Sequence, residues 1–371
     1  MRDGAMVRRS IALRDGRLTT GPFPAVDLTG YYVMPGVVDL HSTSFQHLLS
    51  GETPDLALID REAASHGVTT RFLAQPWSWE RESTSPEAAA QLGRALIAYR
   101  RRSLTDLRLA LSCERIMVAD EDALLDLVDA CAVGQVVFSN RAETAADLLR
   151  NDPDAFAQWA WTWGTRTERL EAALRRVLPQ AASVPRHLCR LAEAFDARGV
   201  IYGSHGDQTA ETREHYSMIG AGLCLSPGTA RVAAAARAVG DPVLACAEDV
   251  LSPAPQRRVA RTTALIDAGL CDALVSDRHS ASPVQAAFRL TELGLLPLER
   301  AWALIAEKPA EILRLPDRGV LAPGKRADLV IIHAETRQVE ATICGGRLTF
   351  MTGEAAARFL GVAAEPRMAA E

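Results

Sequence analysis

Four side chains suited to holding a divalent cation follow directly on short apolar runs. They are His41 after Tyr32–Leu40, Glu114 after Leu107–Cys113, His205 after Val200–Ser204 and Asp277 after Ala273–Ser276. Neutral imidazole and ionised carboxylate are donors for zinc or a similar ion. Such an ion lowers the pKa of a bound water towards ~7 and supplies hydroxide at neutral pH. Asp277, or Asp207 just past His205, could take the water proton. A lone histidine at such a position is usually a hydrogen-bonding cap. Several donors placed alike shift the balance, and the expectation is one divalent ion, zinc or similar, with no ion as the alternative.

Asn140, Arg141, Arg278 and His279 occupy equivalent positions and are candidates for touching a substrate. The forked donors of arginine suit two-point contact with an oxyanion. Arg257 and Arg258 open a helical segment, and read either as a solvated face or as further anion contacts. His47, His66, His187, His215 and His333 read as structural or surface residues. Cys113 adjoins Glu114 but has no partner base, so it is not read as a nucleophile.

These positions acquire meaning from the elements that carry them. Strand candidates are Tyr32–Leu40, Val68–Ala74, Leu107–Cys113, Gln135–Ser139, Val200–Ser204, Gly222–Leu225, Val243–Cys246 and Ala273–Ser276, alternating with helical patterns such as Pro86–Arg101, Asp120–Ala132, Val184–Arg198, Arg257–Ala268 and Pro283–Leu293. Alternation of this kind gives right-handed βαβ units and a parallel sheet. Eight units predict a (β/α)8 TIM-type barrel, whose chemistry sits at the C-terminal ends of the strands. A doubly wound open sheet is the rival, weakened because no GxGxxG turn follows the first strand.

The two ends of the chain read differently. Val7 to Leu13 with the Asp15-Gly16 turn, and Asp328–Ile332 and Val339–Ile343 with the Gly345-Gly346 turn, are short strands. Residues 1–31 with 316–371 are therefore expected to form a composite β-sandwich, and 32–315 the barrel. Within the barrel, about 142–180 is a helical insertion carrying Trp159, Trp161 and Trp163. These rings read as cover for the barrel or a subunit contact, or as a substrate lid.

Composition narrows the class. Of 371 residues 48% are apolar and 23% charged, as in globular proteins generally. The net charge of −5 argues against a nucleic-acid surface. The seven cysteines include no CxxC pair and fit reduced thiols. No apolar run is long enough to span a membrane, and Met1-Arg2-Asp3-Gly4 leads into no signal-type segment. A cytoplasmic protein without membrane contact is expected, and a homodimer is possible by analogy with other barrels.

Tyr32-Val33-Met34-Pro35-Gly36-Val37-Val38-Asp39-Leu40-His41 resembles the strand-one signature of the amidohydrolase superfamily. Gly67-Val68-Thr69-Thr70, Lys308-Pro309-Ala310 and the stretch from Gly319 to Val330 are similar to other segments of that superfamily. Within it, Cys113-Glu114, Ser204-His205-Gly206-Asp207, Val275-Ser276-Asp277 with Ser282–Phe288, and Leu315–Val320 resemble the phosphonate-metabolism family of the carbon–phosphorus lyase pathway. The resemblance implies a barrel with a sandwich and metal-dependent hydrolysis of α-D-ribose 1-methylphosphonate 5-triphosphate to the 5-phosphate and diphosphate, and hence a small anionic phosphorylated substrate as the expected partner. In a ligand position of that family, a cation at Arg141 would repel a second metal while taking over its electrostatic role towards a phosphate. Departures are specific. Thr43 stands where the superfamily commonly has a second ligand, Asn140-Arg141 where the family has Asp-His, and His205-Gly206-Asp207 where it has His-Asp-Asp. No histidine follows strand six, near Ser226-Pro227-Gly228, and no lysine suits carboxylation. Hydrolysis of a cyclic amide or ester, and a metal-free barrel that only binds, remain the alternatives.

Overall fold

The computed structural model describes residues 6–48, 55–252 and 260–361. Strands β1 (Ala12–Arg14) and β2 (Arg17–Thr19) form an antiparallel hairpin. Its turn places Asp15 at φ 50 and Gly16 at φ 74, the left-handed pair that tight hairpins demand. Strand β3 (Tyr31–Pro35) precedes the parallel strands β4 (Val37–Ser42), β5 (Val68–Trp77), β6 (Asp106–Glu114), β7 (Gln135–Ser139), β8 (Ile201–His205), β9 (Leu223–Leu225), β10 (Val243–Cys246) and β11 (Ala273–Val275). Strands β12 (Leu329–His333), β13 (Val339–Cys344) and β14 (Arg347–Met351) follow.

Strands β4 to β11 pair in chain order in one parallel sheet. A parallel bridge between Ser42 and Asp277 brings its two edges together. This is the eight-stranded barrel expected from the alternation. Its interior is filled by Val38, Leu40, Phe72, Val137, Leu225 and Val275 among others, with Leu313 packed on the same cluster. Such a packed cylinder leaves polar side chains only at its rims.

The apolar run Tyr32–Leu40, expected as one strand, is two. Residues β3 pair antiparallel with β12, and β4 opens the barrel. Both sheets require apolar residues here, so the run carries no periodic signal of the break. Gly36 makes the crossing: a Cβ there would lie 2.3 Å from Thr69 Oγ1. Strand β12 also pairs with β13, and β13 with β14, completing a four-stranded sheet beside the hairpin. These small sheets form the β-sandwich, and Leu18, Leu329, Ile331 and Ile343 make its core.

Between β7 and β8 the chain forms helices Arg141–Asn151, Pro153–Thr162, Thr167–Val177 and Val184–Arg198. Phe156, Leu170 and Leu174 are buried against the barrel's outer core, whereas Trp161 is 79% exposed. No described helix is long and apolar enough to cross a membrane.

The start of β6 is tied to the returning chain by ions. Arg318 Nη1 donates to Asp106 Oδ2 and to Thr70 Oγ1, both at 2.7 Å. Arg108 donates to the same carboxylate at 2.8 Å. Burial opposes ionisation of Asp106, but hydrogen bonding and charge from Arg108 and Arg318 prevail and hold its pKa at about 2. A depressed carboxylate stabilises the fold above its unfolded pKa and loses that contribution as pH falls through the folded value. Asp106→Asn is therefore expected to cost about 2 kcal/mol at pH 7. In urea titrations from pH 7 to pH 3 the gap between variant and wild type should narrow. A gap independent of pH would contradict this assignment.

Candidate active site

His41 is the penultimate residue of β4 and His205 the last of β8. The barrel brings their rings face to face, with centroids 6.2 Å apart and planes inclined by 13°. His41 is 6% exposed, and its Nδ1 is buried without a hydrogen-bond partner. Burial lowers its pKa; the charges of Asp277 and Asp39 oppose this, and Arg141 adds to it. The His205 pKa is lowered in turn by desolvation, by His41 and by Arg141, although its ring keeps access to solvent. Both imidazoles are consequently neutral at pH 7 and able to accept a proton.

Asp277 lies just past β11 in the left-handed region, at φ 50. Its backbone is part of the barrel wall: Asp277 N donates to His41 O at 3.1 Å, and Thr43 N donates to Asp277 O at 2.6 Å. Thr43 Oγ1 also donates to the Asp277 carboxylate at 2.8 Å. Thr43, at a position where a ligand was a reasonable expectation, thus orients an acid instead. Asp277 in turn favours protonation of both histidines through its charge.

Glu114 ends β6 and is fully buried. Its Oε2 accepts from Arg141 N at 2.6 Å and Ser139 Oγ at 3.2 Å, while Oε1 has no partner. Burial and then the charge of Glu80 push its pKa up to about 8, against Arg141 and Ser139. Burial thus favours the neutral acid of Glu114.

The remaining candidates are placed elsewhere. Gly206 takes φ 75 and turns the chain after His205. Asp207 then accepts from Ser204 Oγ at 2.5 Å and from the fully buried Arg213 at 3.5 Å. Arg213 also donates to Leu223 O at 2.8 Å, so Asp207 ties β8 to β9. These bonds engage Oδ2 of the carboxylate expected to serve as a base. Asn140 donates to Glu143, which also pairs with Arg115. Arg278 and His279 both turn to Glu248, at 3.6 and 3.0 Å, and are exposed. Arg257 and Arg258 lie outside the described residues. Cys113 is buried, and desolvation raises its pKa far above the thiolate range, consistent with no nucleophilic role.

Two residues at the mouth, Glu80 and Arg81, escaped the sequence reading, and Trp163 was read only as cover or a lid. Glu80, 4% exposed, accepts from Arg141 Nη1 at 3.5 Å. The guanidinium carbons of Arg81 and Arg141 each lie 5.1 Å from the centroid of the Trp163 ring. Strand β5 runs to Trp77, past its expected end at Ala74, so Glu80-Arg81 belongs to the loop at the chemical rim. Charged residues after an apolar run were the available signal, hidden by the misplaced strand end. Trp163 had no signal specifying its neighbours.

A divalent ion requires donors that converge. Among the described residues no group of three His, Cys, Asp or Glu side chains does so. The neutral imidazoles and the orphaned Nδ1 of His41 are suitable donors. The four donors expected to converge, His41, Glu114, His205 and Asp277, do not form a group of three or more that could hold an ion among the described residues. The charge of Arg141 also acts on both imidazoles, which disfavours a second positive charge there.

Comparison with known proteins agrees with this architecture. The sequence pattern described as the Amidohydrolase family matches residues 171–350. The chain is 26% identical over 338 residues to α-D-ribose 1-methylphosphonate 5-triphosphate diphosphatase of Escherichia coli K12, covering 85% of this chain and 86% of the relative. N-acetylglucosamine-6-phosphate deacetylase of Thermotoga maritima superposes with a TM-score of 0.57 at 14% identity, over 92% of this chain and 95% of the other. N-acyl-D-glutamate deacylase of Bordetella bronchiseptica, solved with zinc and a phosphonate inhibitor, gives 0.57 at 19% identity over 94% of each chain.

The raised pKa of Glu114 has a stability consequence of defined sign. The fold favours its neutral form, so this contribution is complete below about pH 4.5 and is lost as pH rises through about 8. Glu114→Gln, which cannot ionise, is expected to lose less stability than wild type between pH 5 and pH 9. Parallel slopes in chemical denaturation would show that Glu114 is ionised in the native protein.

Proposed function

We propose that the chain is a hydrolase of the amidohydrolase superfamily and that it hydrolyses the phosphoric anhydride of α-D-ribose 1-methylphosphonate 5-triphosphate, giving the 5-phosphate and diphosphate. One observation carries the reading: two neutral imidazoles face each other at the barrel mouth within the field of the Arg141 guanidinium. The 26% identity to the Escherichia coli diphosphatase over most of both chains supports this substrate over the others in the superfamily.

The residues take complementary parts. A neutral imidazole of His41 or His205 accepts a proton from the attacking water. The water oxygen forms a bond to phosphorus, the bridging P–O bond breaks, and diphosphate leaves. Asp277, oriented by Thr43, stabilises the imidazolium that results. Arg141 offsets the negative charge on the phosphoryl oxygens, where it needs no rearrangement during the reaction. Divalent ions, when bound by superfamily members, polarise such oxygens or activate water. Here His41 and His205 are the donors an added ion would meet, and two imidazoles without a third converging donor among the described residues make a weak site.

Diphosphate release from the triphosphate, followed by phosphorus NMR, tests the reaction. Arg141→Ala should lower kcat/KM by about a hundredfold or more, as loss of a charge-stabilising donor does. Unchanged turnover in that variant would remove the assigned role, and tight substrate binding without diphosphate release would replace hydrolysis by a binding function. Elemental analysis of protein purified without chelator should find divalent metal below one ion per chain. A stoichiometric ion lost on His41→Ala would overturn the metal-independent proton transfer.

A further inference from the structure

We propose that Arg81, Arg141 and Trp163 form a polyphosphate subsite at the barrel mouth, where the insertion between β7 and β8 meets the loop after β5. The inference rests on the reading of this mouth as a phosphoryl-transfer site and adds how the chain of phosphates is held.

The Trp163 ring is flanked by two guanidinium groups, each 5.1 Å from its centroid. Arg81 Nη1 donates to Trp163 O at 3.1 Å, so the loop after β5 is pinned to the insertion by backbone as well as by ring contact. Arg81 Nε is buried and has no hydrogen-bond partner. An orphaned charged donor is costly unless something completes it. Charge leads to the same place. Glu80 lies 3.5 Å from Arg141 and is the one carboxylate that pairs with either guanidinium among the described residues. Two guanidinium groups with one paired carboxylate leave donors over for an anion. Burial pulls the Arg81 pKa down, against the charge of Glu80 and with that of Arg141.

A linear polyphosphate meets these requirements better than a single phosphate. Arg141 lies within the field of His41 and His205, so a phosphoryl group at the imidazoles can also contact it. The next phosphate then reaches Arg81, whose plane the indole fixes. Trp163 is the one ring of the insertion's three tryptophans that contacts both guanidinium groups, which gives the insertion a part in ligand recognition.

Calorimetric titration with inorganic triphosphate at about physiological salt tests the subsite directly. Wild type should bind it more tightly than inorganic phosphate, and Arg81→Ala should weaken triphosphate binding by about tenfold or more. Arg81→Lys keeps the charge but not the planar stack, and should recover only part of the affinity. Trp163→Leu, with a melting curve to verify folding, should lower triphosphate affinity and leave inorganic phosphate little affected. No saturable binding to wild type, or unchanged affinity in folded Arg81→Ala, overturns the subsite. Should Arg81→Ala not fold, unchanged affinity in Arg81→Lys and Trp163→Leu does the same. Diphosphate release is scored apart. Triphosphate binding through Arg81 without turnover keeps the subsite and removes the reaction, while normal turnover with an unaltered KM in Arg81→Ala keeps the reaction and removes the subsite.

Discussion

The seam between the first and last barrel strands is the contact on which the rest depends. It is closed by few bonds, and they belong to the residues of the mouth. Asp277 N and O bond to His41 O and Thr43 N, and the carboxylate of Asp39 receives Ser276 N at 3.1 Å and Ser276 Oγ at 2.6 Å. Closing the cylinder therefore also sets the position of His41 and Asp277. The left-handed φ of Asp277 is tolerable for a short polar side chain and is held by bonds on both sides of the residue. Arg71, fully buried against Asp39 at 3.5 Å, adds a charge to the same seam. Removing either partner would leave the other ion buried alone, a larger loss than the pair's net contribution.

The mouth is a problem in charge as much as in shape. Glu80 and Glu114 are both buried, and burial first, then the charge of Glu80, favours the neutral form of Glu114. Arg141 links them, its backbone N–H on Glu114 and its guanidinium near Glu80. The same arginine depresses both imidazoles. In the proposed reaction Arg141 serves as a cation fixed to the chain. It is always charged and cannot dissociate, but it can neither activate water nor change its coordination.

Attachment of the barrel to the small sheets combines close backbone approach with the ion pair of Arg318 and Asp106. Gly36 admits Thr69, and Gly67, at φ 78, would place a Cβ 2.9 Å from Val330. Trp302 Nε1 donates to Pro35 O at 2.9 Å, and Thr342 Oγ1 to Ala64 O at 2.7 Å. These contacts clamp the crossing between β3 and β4, which fixes the register of β4 and with it the height of His41 in the barrel.

Much of the architecture is written locally. Eight apolar runs alternating with helical periodicity imply parallel strands with crossovers, and polar residues just beyond those runs must reach one rim, so His41, His205, Asp277 and Arg141 could be named from their neighbours in the chain. Local order also held the hairpin turn at Asp15-Gly16. What it could not hold was any quantity depending on residues distant in sequence. The division of Tyr31–Ser42 into strands of two sheets depends on which partner lies alongside. Asp207 became an anchor because Arg213 is buried beneath it, and Glu114 became a neutral acid because Glu80 and a dry wall surround it. Whether four donors converge on one point is decided by strand stagger to within an ångström or so, and spacing along a chain carries no such information. Only the closed barrel set Arg141 beside the imidazoles and brought Trp163 across to it, because burial, charge and distance are properties of the packed protein and not of its sequence order.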